Sequence, residues 1–321
     1  MVVGPDIRLE VRIKAITKET DTIKRFSFEQ TNEEPLPAFS AGSHIIVYIK
    51  SRGGELERRY SLVGSSECTY NYQIAVKHQE RSTGGSSYLH TDARIGDILE
   101  ISFPKNYFPL SFHARHHVFC AAGIGITPFI SMMHELKAQG KSFELHYSTK
   151  TIKDCAFYSY LFKEYPQQTN FYFSRDGSRV DSSILSEQYI GTHVYLCGPE
   201  RFTSSFSAAA ATYGYPSASI HYEYFSSPNI FNPRPFTLEL KNGSLLSVSD
   251  EKSTLDTLLE AGYPVPYSCK VGRCGTCELP LLEGEADHHD SFLTTNQKIA
   301  QMSFLPCVSR SKTEKLKIGY Q

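Results

Sequence analysis

The chain has 321 residues, with 33 Lys and Arg against 34 Asp and Glu and a net charge of −1. That length accommodates two or three domains, and the balanced charge excludes the broad basic surface of a nucleic-acid binder. No run of about 18 apolar residues is present, so no membrane-spanning helix is expected, and the N-terminus turns charged too early for a secretory signal.

Residues 1–112 read as strands. Positions 7–16 alternate apolar and polar side chains, and 22–28, 44–49, 59–63, 72–76 and 97–103 are further β-rich runs between turn residues. Six short strands predict an antiparallel β-barrel. Residues 113–227 alternate strand and helix. HHVFCAAG is a strand ending in glycine, TPFISMMHELKAQG has helical periodicity, and FELHYS, NFYFS and HVYLCG are further strands. That order predicts an α/β parallel sheet. SSPNIFNPRPF follows, and its prolines mark a stiff linker over 228–235. Residues 236–321 open with FTLEL-KNG-SLLSV, a hairpin around Asn242 and Gly243. STLDTLLEAG is a helix with Ser253 as its N-cap and Gly262 just past its end.

Directly after that helix comes SCKVGRCGTCELP. It holds Cys269, Cys274 and Cys277 at the spacing C-x4-C-x2-C, and Cys307 follows in FLPCVSR. This is the plant-type [2Fe–2S] spacing. Two irons need four soft thiolates, and a sharply bent loop delivers three of them if Gly272 and Gly275 take positive φ. Small residues Ser268, Gly275 and Thr276 let backbone N–H groups approach the sulfurs. The alternative is a zinc-binding module, but zinc sites commonly pair cysteines as C-x2-C twice or add histidine. The acidic run Glu278, Glu283, Glu285, Asp287 and Asp290 is either a docking face near the cluster or a solvated loop. His288 and His289 read as surface residues. The remaining cysteines, Cys68, Cys120, Cys155 and Cys197, follow no framework, which suits a cytoplasmic, reducing compartment.

Two further stretches carry cofactor chemistry. RRYSL places Arg58, Arg59, Tyr60 and Ser61 on a strand, joining guanidinium groups suited to phosphate with an aromatic face suited to a planar ring. IAVKHQERSTGGSSYLH runs from Ala75, Val76 and Lys77 to Gly84, Gly85, Ser86 and Ser87, where backbone N–H groups at a helix start can hold phosphate. AAGIGITPF follows a strand and opens a helix. Its Gly123, Ile124, Gly125, Thr127 and Pro128 suit a dinucleotide lying close to the backbone. CGP, at Cys197, Gly198 and Pro199, ends a second strand.

Together these motifs, over nearly the whole chain, resemble the phthalate dioxygenase reductase family. The resemblance implies a flavin barrel, a nicotinamide domain and a C-terminal β-grasp ferredoxin. It implies Arg58 on the flavin phosphate, Tyr60 on the ring, Ser61 near flavin N5, and Thr127 and Cys197 flanking the nicotinamide. Phe225, in HYEYF, would cover the flavin. Thr83 departs from the family's phosphate loop, where arginine is usual, with Arg81 or Lys77 as substitutes. Domain order favours FMN over FAD. Arg175, Lys150 and Lys153 would suit NADPH, Asp176 argues against it, and the family's habit favours NADH. The implied function is electron transfer from NAD(P)H through flavin to the cluster, then to a partner Rieske-type oxygenase. A separate ferredoxin or cytochrome is the alternative acceptor. The protein is expected to be a monomer with neither nucleic-acid nor membrane partners.

Overall fold

The computed structural model describes residues 7–51, 54–79, 84–225 and 233–320. The chain divides into two units, one running to Glu223 and the other from Tyr224 onward. Positions 228–232 of the expected linker lie outside the described residues. Among the described residues no helix is long and apolar enough to cross a membrane.

The first unit opens with β1 (Arg8–Lys18), β2 (Ile23–Gln30), β3 (His44–Ser51), β4 (Gly54–Val63), β5 (Tyr72–Lys77), α1 (Gly85–Thr91) and β6 (Ile98–Ser102). The strands close into a barrel in the order β1-β2-β5-β4-β3-β6. Alternation along the strands sends Val11, Ile13, Phe26, Phe28, Ile45 and Val47 into one core. β4 starts at Gly54, five residues before the expected 59. Its polar GELER stretch has no apolar signal, but pairing with β3 carries it, down to Ser51 opposite Gly54. Arg8 then bridges Glu55 at 2.6 Å and Glu100 at 2.8 Å.

β7 (His116–Ala122), α2 (Thr127–Ala138), β8 (Ser142–Thr149), α3 (Tyr158–Glu164), β9 (Thr169–Phe173), β10 (Thr192–Cys197), α4 (Glu200–Thr212) and β11 (Ile220–Glu223) follow. The five strands form a parallel sheet in the order β11-β10-β7-β8-β9. α2 and α3 pack on one face and α4 on the other. The sheet grows in one direction from β7 to β9 and in the other through β10 to β11. Its order therefore reverses between β7 and β10, and a crevice opens at the carboxyl ends of those two strands. β11 was not expected, because its four residues, IHYE, are too short to show a period.

Barrel and sheet share one hydrophobic cluster, in which Ile23, Val63 and Ala75 meet Ile126, Phe129 and Cys197. Polar contacts reinforce it. The Gly42 amide donates to Ser131 Oγ at 3.1 Å, and the Phe157 amide donates to Glu19 Oε2 at 3.2 Å.

The second unit contains β12 (Phe236–Leu240), β13 (Leu245–Val248), α5 (Thr254–Glu260), β14 (Leu279–Glu283), β15 (Ala286–Asp287), α6 (Thr295–Ala300), β16 (Ser303–Phe304), β17 (Arg310–Ser311) and β18 (Lys315–Ile318). Five strands make a mixed sheet, β13-β12-β18-β14-β16, with β15 and β17 paired beside it. The hairpin turns through Gly243 at φ 83°, whose amide donates to the Leu240 carbonyl at 2.9 Å. Ser253 caps α5, accepting from the Asp256 amide at 3.0 Å, and Gly262 at φ 85° follows its end. Leu255 and Leu258 of α5 pack on Leu238, Phe304 and Leu316.

His117, on β7, is fully buried beside the rings of Phe119 and Tyr195, and its Nε2 has no partner. Burial pushes its pKa down from 6.5 to about 4. The unfolded chain takes up that proton in a pH range where the folded unit does not. Stability therefore falls as pH drops through that window, by up to about 3 kcal/mol. His117→Phe is expected to shrink the gap between urea unfolding at about pH 7 and at about pH 4.5. An unchanged gap would assign the acid sensitivity to other groups.

Candidate functional site

In the second unit the cysteine loop bends as its glycines require, with Gly272 at φ 73° and Gly275 at φ 71°. Close approach demands them as well. A Cβ at Gly272 would lie 2.6 Å from Val308 Cγ2, and one at Gly275 would lie 2.3 Å from the Phe292 ring. Cys269, Cys277 and Cys307 are buried, and Cys274 is partly exposed. Backbone amides point at sulfur: Arg273 N lies 3.3 Å and Val271 N 3.5 Å from Cys269 Sγ, and Cys269 N lies 3.5 Å from Cys274 Sγ.

The Cys269 thiol and the Thr276 hydroxyl hold Cys274 down to about 5, and Cys307 lowers Cys277. Cys269 also acts on Cys307 and Cys274 on Cys277, so the four sulfurs share one neighbourhood. Four soft sulfurs with backbone amides turned toward them suit a two-iron cluster.

Two expectations about the neighbouring loop are overturned. Asp290 is no part of an exposed face. Its side chain is fully buried, and Oδ1 accepts the amides of Phe292 at 3.0 Å and Leu293 at 2.7 Å. It braces the loop, and the next amide, Ser291, donates to the Gly272 carbonyl at 3.0 Å. His288 is not a surface residue either. Its side chain is 6% exposed and turns inward, with Nδ1 3.6 Å from Asp290 Oδ2. The other acids already have partners: Glu283 with Lys317, Glu285 with Lys312, Asp287 with His289, and Glu278 with Ser303. Glu283 and Glu285 are exposed but ion-paired, while Glu278 and Asp287 keep their charge beside a serine and a histidine.

In the first unit the glycine motif occupies the crevice between β7 and β10. Gly123 has φ 57° and nothing within 4 Å of a Cβ built on it. Gly125 is the opposite case: its Cβ would lie 2.2 Å from the Cys197 carbonyl oxygen. A Cβ on Gly198 would lie 2.8 Å from that of Ala122. Only glycine lets the two strand ends come this close. The Thr127 hydroxyl is buried and donates to the Ile124 carbonyl at 3.1 Å, tying down the turn. Pro128 occupies the first turn of α2. Cys197 is fully buried.

Along β4, alternation puts Arg58 and Tyr60 on one face and Arg59 and Ser61 on the other. Val63, on the Ser61 face, packs with Ala75, Ile126 and Cys197. Burial pushes the Tyr60 hydroxyl up to about 12. The Arg58 side chain lies across the turn at 84–87: a Cβ on Gly85 would lie 2.5 Å from its Cγ and 2.6 Å from its Nε. Ser86 Oγ accepts the Gln79 amide at 3.2 Å, and the Ser87 carbonyl accepts Thr91 Oγ1 at 2.8 Å. Val76 is buried and Lys77 exposed. Thr83 and Arg81 lie outside the described residues. Phe225 belongs to the second unit and is 48% exposed.

Residues 10–109 match the oxidoreductase FAD-binding domain family. Residues 104–220 match the N-terminal domain of dimethylamine monooxygenase subunit DmmA-like proteins, and 239–312 match the 2Fe-2S iron-sulfur cluster binding domain. The carnitine monooxygenase reductase subunit of Escherichia coli (strain K12) is 38% identical over 96% of this chain and 97% of its own. Phthalate dioxygenase reductase of Burkholderia cepacia is 35% identical over 95% and 96%. The solved structure of phthalate dioxygenase reductase aligns with a TM-score of 0.78 at 33% identity, over 98% of both chains. A type IV self-sufficient cytochrome P450 monooxygenase aligns with a TM-score of 0.78 at 34% identity, over 97% of this chain and 41% of that one. The chain belongs to the phthalate dioxygenase reductase family, as an electron-transfer oxidoreductase with a flavin domain and a [2Fe–2S] domain, of the kind that serves as the reductase component of an oxygenase.

Proposed function

We propose that the crevice between β7 and β10 holds NADH, that the barrel holds FMN, and that Cys269, Cys274, Cys277 and Cys307 hold the cluster. The observation that carries this reading is the convergence of Val63, Ala75, Ile126 and Cys197 in one cluster. Those residues end or adjoin RRYSL, AVK, the glycine turn and CGP, so the flavin and nicotinamide motifs share one neighbourhood.

The flavin supplies the exchange between a two-electron hydride and single electrons, which the protein orients. Arg58, across the 84–87 turn, would hold the flavin phosphate with the amides of Gly84, Gly85, Ser86 and Ser87. Tyr60 would supply an aromatic face for the ring, and Ser61 a hydroxyl donor to its polar edge. Gly123 and Ile124 leave the backbone open to the coenzyme. Thr127 positions that turn through the Ile124 carbonyl. Cys197, Gly198 and Pro199 form the opposite wall. No residue is required to move a proton.

Domain order, with the cysteine module last, supports FMN. Asp176 follows β9 and supports NADH, since a carboxylate repels a 2′-phosphate. Lys150 and Arg175 are joined there, the Arg175 amide donating to the Lys150 carbonyl at 3.0 Å. The four cysteines outside the cluster loop, Cys68, Cys120, Cys155 and Cys197, follow no disulfide framework, which supports a cytoplasmic protein. The electron's recipient is a Rieske-type oxygenase, and the protein acts as a monomer. The self-sufficient P450, whose chain includes a similar stretch, supports a haem oxygenase as the second reading.

The purified protein is expected to show flavin bands and broad iron–sulfur absorbance, both bleached by NADH. A spectrum with neither band would sink this reading, and FAD in the acid-released extract would overturn the FMN assignment. Cys277→Ser is expected to retain NADH reduction of the flavin while electron delivery to cytochrome c falls by on the order of a hundredfold. Equal loss of both steps would deny the separate roles given to flavin and cluster. Gly85→Val drives a side chain into Arg58 and is expected to cut flavin occupancy several-fold with little change in cluster content. Full flavin retention would remove Arg58 and its turn from the phosphate site.

A further inference from the structure

Arg310 stands three residues beyond Cys307 and is 5% exposed. Its guanidinium donates to three backbone carbonyls: Lys252 at 2.7 Å, and Arg234 and Ser249 each at 2.8 Å. The Phe236 ring centroid lies 5.3 Å away, and Nε has no hydrogen-bond partner. Among the described residues no carboxylate lies within 4.0 Å of it. Asp287, opposite it across the β15–β17 pair, turns to His289 at 2.8 Å. The carboxylate whose field reaches Arg310 is Asp250, on the exposed loop before α5. By contrast Lys252, Lys270, Lys312, Lys315 and Lys317 each have a carboxylate within 3.5 Å.

A guanidinium stays protonated in proteins. Carbonyl dipoles solvate its charge without cancelling it, and an uncompensated buried charge is unfavourable. Arg310 and Cys307 line the same open pocket of about 380 Å³, which Asp250, Glu251, Asp256, Lys252 and Lys270 also line. Three residues of chain span at most about 10 Å. A two-iron cluster held by four thiolates is net negative, and reduction adds one electron more.

We infer that Arg310 is the buried counter-cation of the cluster, a positioning residue that favours its reduced form through charge. The inference rests on the four-cysteine assignment above. For charges roughly 10 to 15 Å apart at an effective dielectric of about 20, the field favours reduction on the order of tenfold. For a one-electron couple, tenfold corresponds to about 59 mV.

The test is a redox titration of the cluster in the full-length holoprotein at low ionic strength, followed by electron paramagnetic resonance. Arg310→Gln is expected to shift the midpoint about tenfold toward the oxidised form, ~59 mV more negative. Arg310→Lys keeps the charge and is expected to stay near the parent. Asp250→Asn removes the exposed opposing charge and is expected to shift the midpoint the other way, by less. An Arg310→Gln midpoint equal to the parent's overturns the inference. Should that variant fail to fold, an unmoved midpoint in Asp250→Asn overturns it instead. A merely structural Arg310 would lower the thermal midpoint of both arginine variants without moving the potential. Failure of the cysteine assignment would look different: Cys277→Ser would keep the parent's cluster signal and iron content.

Discussion

The first unit depends on one contact, that of Gly125 with the carbonyl of Cys197. Two strand ends of a parallel sheet meet there with no side chain between them. That proximity sets the width of the crevice, aims α2, and brings the face of β4 carrying Ser61 and Val63 against the glycine turn. A methyl group at this position would push on backbone, which cannot swing aside as a side-chain tip can. The shared core of barrel and sheet completes the arrangement, because Val63, Ala75 and Cys197 cannot separate without exposing apolar surface.

The second unit is organised by a comparable economy of space around sulfur. Gly272 and Gly275 supply φ values that other residues adopt only under strain, and each also leaves room for a neighbour. Asp290 holds two amides from beneath, so the loop is braced by a buried carboxylate as well as by its own turns. Most of the lysines around the loop have a carboxylate beside them, and Arg310 is a buried cation without one within ion-pair distance.

What the sequence made legible was whatever chemistry ties to spacing. Cysteines spaced C-x4-C-x2-C with a fourth further on, glycines at strand ends, and an arginine, tyrosine and serine on one strand are legible locally as candidate sites. Six strands with alternation were enough for the barrel, and the strand–helix order was enough for the sheet. The missed features depend on tertiary contact. Asp290 looks like a solvated loop residue until the amides of Phe292 and Leu293 and the Lys298 ammonium close on it, and His288 turns inward beside it. Phe292 carries no motif, yet its ring fills the space that Gly275 leaves open. The polar start of β4 and the four residues of β11 become strands only because neighbours offer hydrogen bonds.

The order of the parallel sheet has a further consequence. Lys150 follows β8, one strand outward from β7, and Arg175 and Asp176 follow β9, two strands outward. The Gly125–Cys197 contact sits on the other flank, between β7 and β10. On the proposed reading, the charges that would face the coenzyme's ribose lie apart from the turn that would face its nicotinamide, so the first can be re-engineered while the second stays as it is.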